Sequence, residues 1–391
     1  MAMLCFAAAA CTPSARRRGR EAFQRHDYGT AQKHFAEIKD ETNKNFVLYN
    51  LEYASAAFEG GDYYTARRAL ERAAEVMRGY AGNAEGMVSL IANESAKLFK
   101  GDPFEQAMAN FYDGLIYYRW GDYNNARAAF FQALMADKSS DDDYQEDFAV
   151  AQFMIGKCYQ NLGEPDNARI SFEKARKAYP DNPFFSDDAI NKHNVLIVLQ
   201  LGKSPDKVAG GLAGSRDEYV CGHYRENSAK VYANGKLLGQ SSRAVSLLHQ
   251  AQTSGRSAKD TIQAAKGAVK TGLLAAAATQ KNSRSALWLA LAGLLMPAEA
   301  DIRQWDLLPG EVHLLSARLG PGSYAIKIEF SEDGKPLPDF RQIWHYVPVE
   351  EDKDTLLVFR SGHRKANDNM PARRSPTFGA REGEKMANAP K

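Results

Sequence analysis

Neither sign of charge is in excess in this chain of 391 residues: 50 Lys and Arg face 48 Asp and Glu, a formal net charge of +2. That balance excludes the broad basic footprint that a nucleic-acid-binding domain needs. Long apolar runs are missing as well. Ala286 to Met296 spans about 11 residues, short of the roughly 20 that cross a bilayer, so a polytopic membrane protein is excluded. The stretch reads as a buried helix. A helix lying on a membrane or a partner is the alternative, with only Lys281 and Arg284 as a thin basic flank. Cysteine is scarce, with four in the whole chain.

Motifs for catalysis or cofactors are also lacking. The eight histidines (His26, His34, His193, His223, His249, His313, His345, His363) are scattered, with no HExxH and no Cys/His cluster at zinc spacing. Gly202-Lys203-Ser204 imitates the end of a phosphate loop. Ile197, however, stands where the first Gly would let the backbone approach phosphate, and a helix rather than a strand is expected before it. Ser204 to Lys207 and Lys270-Thr271-Gly272 echo two motifs of penicillin-binding proteins without the Ser-x-Asn between them. The acidic run Ser139 to Asp147 lacks the Gly and distal Glu of a calcium loop and reads as a solvated insertion. No catalytic residue, metal or cofactor is therefore expected.

What is present is a globular composition, 44% hydrophobic, 25% charged and 10% aromatic, with mean hydropathy −0.47. It excludes a collagen and a chain disordered throughout. At roughly 100 to 200 residues per domain, two or three compact units are expected.

An internal repeat supplies the first of them. Gly114 and Gly156 each have a Tyr three residues on (Tyr117, Tyr159), then a turn Gly (Gly121, Gly163), an Ala (Ala126, Ala168), an aromatic (Phe130, Phe172) and a second Ala (Ala133, Ala175), at identical spacing. Weaker copies lie upstream at Gly61-Asp62-Tyr63, Ala66, Leu70, Ala73 and at Asp27-Tyr28, Ala31, Phe35, Ile38. Small residues let two helices approach closely while rings fill the space between stacked hairpins. The pattern resembles the tetratricopeptide repeat (TPR), a pair of antiparallel helices, with Pro180 at the repeat's terminal proline. An extra helix is expected over Ala84 to Phe99. A capping helix carrying Ala189, Ile190 and Val195 to Leu199 is expected to close the array.

After Gly210-Gly211 the texture changes. Asn234-Gly235 between β-prone runs predicts a hairpin. Ala-rich helices are expected from Ser257 to Met296, started by Ser257 and Asp260. Strands are then expected at Glu311 to Leu319, Tyr324 to Phe330, Ile343 to Val349 and Thr355 to Phe359, forming a small antiparallel sheet packed on those helices. The fold class expected is thus α-rich and multidomain. Residues 15–207 form a TPR-like α-solenoid, 208–361 an α+β domain and 362–391 a disordered tail.

Residues 1–14 form a separate segment. Met1 to Ala10 is apolar, and Ala8, Ala9 and Ala10 precede Cys11, which resembles the lipobox of bacterial lipoproteins although Ala8 replaces the usual leucine. The resemblance implies a diacylglyceryl group on Cys11. Thr12, in place of Asp after the cysteine, then points to the periplasmic face of the outer membrane. The alternative is an unstructured N-terminus with an incidental cysteine. Under the lipoprotein reading only Cys158 and Cys221 remain in the mature chain, either paired or as free thiols.

Two longer stretches, Lys97 to Leu134 with its Gly101-Asp102-Pro103-Phe104-Glu105 and Ala300 to Phe330 with its Trp305 to Pro309, resemble an uncharacterised family of bacterial TPR lipoproteins. That resemblance implies a fold and a compartment, not a reaction. TPR arrays hold peptides or proteins in the groove lined by the first helix of each hairpin. By helical phase the groove carries Phe111, Leu115, Tyr118 and Arg119, then Phe153, Lys157, Gln160 and Asn161. Tyr118, Arg119, Lys157 and Asn161 are the partner-binding candidates. The function expected is a non-catalytic, lipid-anchored periplasmic scaffold holding a protein partner in cell-envelope assembly. The alternative is an enzyme or enzyme regulator with its site in the α+β half.

Overall fold

A computed structural model describes residues 5–79, 98–137, 147–210, 216–253, 301–351 and 353–362. Four helical hairpins come first. They are α1 (Cys5–Gln24) with α2 (Tyr28–Ala36), α3 (Phe46–Gly60) with α4 (Tyr63–Gly79), α5 (Pro103–Arg119) with α6 (Tyr123–Asp137), and α7 (Ala149–Asn161) with α8 (Pro165–Ala178). The second helix of each hairpin packs on the first helix of the next, so the hairpins nest in sequence as expected. The helix expected at Ala84 to Phe99 lies outside the described residues, apart from its last two positions.

One packing rule recurs through the array. A Cβ added at Gly19, Gly114 or Gly156 would come within 2.6, 2.5 and 2.4 Å of the ring of Phe35, Phe130 and Phe172, each in the same hairpin. The ring lies against bare backbone, which only Gly permits. In the second hairpin Ala54 and Leu70 take the equivalent places and are both buried. A larger small residue is matched by a smaller large one. The turns are equally regular: Gly61, Gly121 and Gly163 have φ of 83°, 74° and 75°, and His26 takes the same left-handed position at 58°. The following acid caps the next helix, as when Asp27, Asp62 and Asp122 accept N–H groups of Thr30, Thr65 and Asn125.

After α8 the chain departs from expectation. Pro183–Phe185 forms a single 3₁₀ turn, α9 (Asp187–Lys192) is short, and Val195 to Leu199, expected as helix, belongs to strand β1 (Val195–Leu201). Its run Val-Leu-Ile-Val-Leu-Gln-Leu is buried at every position, and such a run cannot distinguish a buried strand from a buried helix by periodicity. The β half therefore begins inside the region assigned to the solenoid.

Ten further strands follow: β2 (Asp206–Gly210), β3 (Arg216–Val220), β4 (Ser228–Ala233), β5 (Lys236–Gln240), β6 (Ser242–Ser246), β7 (Glu311–Ala317), β8 (Gly322–Glu332), β9 (Lys335–Pro336), β10 (Gln342–Val349) and β11 (Thr355–Arg360). Between β6 and β7 the helix α10 (Leu247–Thr253) is described. The expected Ala-rich helices fall in residues outside the description. In place of one antiparallel sheet there are a four-stranded sheet ordered β11-β1-β7-β6, a second sheet ordered β10-β8-β4-β5 with β9 on β8, and a β2-β3 hairpin. The first sheet is mixed, because β1 pairs parallel with β11 and antiparallel with β7. Parallel pairing needs a long crossover, and here the whole β half lies between the two strands. The Asn234-Gly235 hairpin forms as expected, both residues having positive φ (48° and 81°).

Candidate functional site

The four groove candidates do converge, and what they meet is the chain's own β half. Tyr118 and Arg119 end α5, and Lys157 and Asn161 lie one turn apart on α7. Tyr118 Oη donates to Asp354 Oδ2 at 2.5 Å, Asn161 Nδ2 reaches the same oxygen at 3.1 Å and Lys157 Nζ lies 3.3 Å from it. Arg119 Nη1 donates to the carbonyl of Leu356 at 2.9 Å, its guanidinium lying over the Tyr63 ring. Asp354 sits just before β11, so the turn out of β10 is clamped at a carboxylate and a carbonyl. Burial, and then the charge of Asp354, push the Tyr118 phenol well above its ordinary value, which keeps it a donor. Gln160 accepts from Lys157 at 2.8 Å. Phe111, Leu115 and Phe153 are core residues, each 1% exposed. At these four residues the first-helix face is thus bonded to the chain's own β half, because three donors around one carboxylate satisfy charges that neither surface could bury alone, and a cleft of about 180 Å³ remains beside Lys157, Asn161 and Asp354.

A second joint unites the two segments on which the lipoprotein-family resemblance rests. Asp102 caps α5, and Glu105 closes a capping box by accepting the Asp102 N–H at 2.6 Å. The other Glu105 oxygen accepts the backbone N–H of Trp305 at 2.5 Å, and the Trp305 indole donates to Ser55 Oγ at 2.9 Å. Tyr112, beside Trp305, donates to Gln200 of β1 at 2.7 Å. Lys207 and Tyr219 from the β2-β3 hairpin bind Asp102 at 2.7 and 2.5 Å. Lys207 also lies 2.9 Å from Asp217 of β3; in the sequence Lys207 shows only within the Ser204 to Lys207 motif, and nothing marks Tyr219 or Asp217.

A third joint lies at the other end of the array. Arg16 faces both oxygens of the buried Glu52, with its closest approach at 2.8 Å, and Arg20 pairs with Asp306. Burial raises the Glu52 carboxyl to about 7 against the pull of Arg16. Nearby is a cleft of about 360 Å³ walled by Phe23, Tyr224, Leu307 and Phe340 and including His26 and Glu226.

One side-chain relay lies in the β half. Ser241 Oγ, His313 Nδ1, His313 Nε2 and Glu311 Oε2 form a chain at 3.2 and 2.9 Å, the connectivity of a nucleophile relay. Ser241 is 7% exposed and His313 3%, and Ser241 Oγ is already occupied by the Ala229 N–H. The chain ties β6 and β7 to β4. At Gly202 the expected helix is replaced by β1, yet the loop runs into β2, so no helix N-terminus follows to hold a phosphate. Among the described residues no group of three or more His, Cys, Asp or Glu could hold a metal ion. Cys158 is buried and Cys221 exposed, both as free thiols, and burial raises the Cys158 thiol. Helix α1 runs through Cys11, and no described helix is long and apolar enough to cross a membrane.

Comparison with known proteins agrees with the repeat geometry. The tetratricopeptide-repeat family model matches residues 150–182, which span α7 and α8. The chain is therefore a TPR-containing protein, with a helical array followed by a sheet-containing region. Similar solved structures include a MamA crystal structure, 17% identical over 41% of this chain and 74% of that one, with a TM-score of 0.31. MamA from Desulfovibrio magneticus RS-1 is 13% identical over 46% and 81% of the two chains, with a TM-score of 0.34. YrrB, described as a TPR protein with an unusual peptide-binding site, is 16% identical over 44% and 71%, with a TM-score of 0.31. No curated protein matches the sequence.

Proposed function

We propose that this protein is a non-catalytic interaction scaffold whose TPR array holds its own β half in place, so that the composite, rather than an open groove, meets a protein partner. The observation that carries this reading is the engagement of Tyr118, Arg119, Lys157 and Asn161 with Asp354 and Leu356. Each of those side chains bonds within the chain, which leaves the outer helices and the β10 sheet for docking. Ile170 on α8 and Ile343 and Tyr346 on β10 are large apolar residues exposed there. In the same proposal, Cys11 carries lipid at the periplasmic face of the outer membrane and the scaffold serves envelope assembly. The run Ala8 to Cys11 supports the lipid.

Photocrosslinking from single positions in cells tests the docking face. Probes at Ile170 and Tyr346 should capture a protein, and one at Asn161 should capture none. Capture confined to Asn161 overturns the composite surface in favour of an open groove. A Cys11→Ala chain that still fractionates with membranes removes the anchor.

A further inference from the structure

Five buried polar side chains meet at the second joint. Lys207 Nζ lies 2.7 Å from Asp102 Oδ2 and 2.9 Å from Asp217 Oδ2. Tyr219 Oη donates to the same Asp102 oxygen, and Glu105 stands one helical turn away, bonded to the Asp102 N–H. All five are at most 8% exposed. Two carboxylates thus bond one ammonium, and a third carboxyl lies one helical turn away, all of them buried. Ionising all three would leave two negative charges uncompensated, which a surrounding of low polarisability resists.

We propose that this ion cluster is a pH-sensitive joint between the helical array and the β half, tight while it retains one proton and weakened when that proton leaves. Glu105 is the residue that retains it. Burial, and next the charge of Asp102, raise its carboxyl to about 7, while Lys207 and the N–H groups of Trp305 and Asp102 pull the other way. The charged and titratable groups around it come from each element packed there: Asp102 at its own cap, Lys207 from β2, and Asp217 and Tyr219 from β3 behind Lys207. The loop before β7 adds neutral partners, Trp305 and Gln304, whose Oε1 accepts the Lys207 N–H at 2.6 Å.

The sign follows from linkage. The folded chain holds the proton to a higher pH than the unfolded chain, in which a glutamate releases it near 4.5. The stabilisation is therefore complete below about 4.5, falls as pH rises, and is gone above about 7.

Urea unfolding of the full chain between about pH 5 and pH 8 reads this directly. The folding equilibrium constant should fall about tenfold or more across that range. Glu105→Gln should shrink the fall, whatever it does to stability overall, and leave the part that Glu52 contributes through its own raised carboxyl. Asp217→Asn, which removes one competing charge and keeps the residue's shape, should shrink the fall. A level profile in the parent chain overturns the proposal, as does an unchanged slope in Glu105→Gln. If Glu105→Gln does not fold, a parent-like profile in Asp217→Asn overturns it.

Discussion

Trp305 gives its backbone N–H to Glu105, a residue 200 positions earlier in the chain, and its indole N–H to Ser55, 250 positions earlier. One fully buried residue, through its backbone and its side chain, therefore ties the loop before β7 to two different hairpins of the array. Replacing Trp305 with Ala should cost about 3 to 5 kcal/mol, as large aromatic truncations in a packed core do. Trp305→Phe should cost less, about 1 to 2 kcal/mol, mainly from the lost bond to Ser55. Because the residue bridges both parts, far-ultraviolet signals from helix and from sheet should shift to lower urea together. A variant that melts the sheet while the helices keep their parental midpoint would show that the joint is not shared.

The glycine and phenylalanine pairs make a sharper prediction. Gly114→Ala places a methyl group within 2.5 Å of the Phe130 ring and should destabilise by about 1 to 3 kcal/mol through overpacking. Phe130→Leu alone should also destabilise, by leaving space. Combined, the two changes recreate the Ala54 with Leu70 arrangement of the second hairpin, so the double variant should be more stable than the sum of the single losses by about 1 kcal/mol. Additive losses in a double-mutant cycle would remove steric matching as the reason for glycine at this position.

Those pairs also show why the helical part was legible in the sequence. Gly114 with Phe130 and Gly156 with Phe172 are local, and their spacing of 16 residues is a direct image of a hairpin. The first hairpin shows only a weaker copy: Gly19 keeps the spacing to Phe35, but His26 stands where the other turns have glycine. The groove positions were also readable, since Tyr118, Arg119, Lys157 and Asn161 do share one site. What fills that site was not. Asp354 lies 193 residues from Asn161 and 236 from Tyr118, and no local periodicity encodes such a pairing. Val195 to Leu201 failed for a related reason. Its neighbours β7 and β11 are more than a hundred residues downstream, and only their presence makes a uniformly apolar heptamer a strand.

Charge reversal at Arg119 or at Lys157 should act first on folding. Arg119→Glu would set a carboxylate against the Leu356 carbonyl, and Lys157→Glu would place it beside Asp354. Each should lower the urea midpoint of the isolated chain with no partner present. If either variant keeps parental stability yet loses a copurifying protein, the groove is the docking site after all.

Asp354 carries the last prediction, because the cost of removing it depends on what is left behind. Lys157 is 3% exposed, and without Asp354 its ammonium would keep the hydrogen bond to Gln160 but lose its counterion. Asp354→Ala should therefore cost about 3 to 5 kcal/mol, the range for a buried charge stripped of its counterion. Asp354→Asn keeps an acceptor for Tyr118 and should fall between the parent and the alanine variant. The informative variant is Asp354→Leu combined with Lys157→Met, which removes both charges and keeps the volume. Desolvating an ion pair offsets most of its attraction, so this double change should recover most of the stability lost by Asp354→Leu alone. The recovery can be only partial, since the phenol of Tyr118 and the amide of Asn161 would still lose an acceptor. A double variant no more stable than Asp354→Leu would mean that those two neutral donors, and not Lys157, are what holds the β10 to β11 turn against the array.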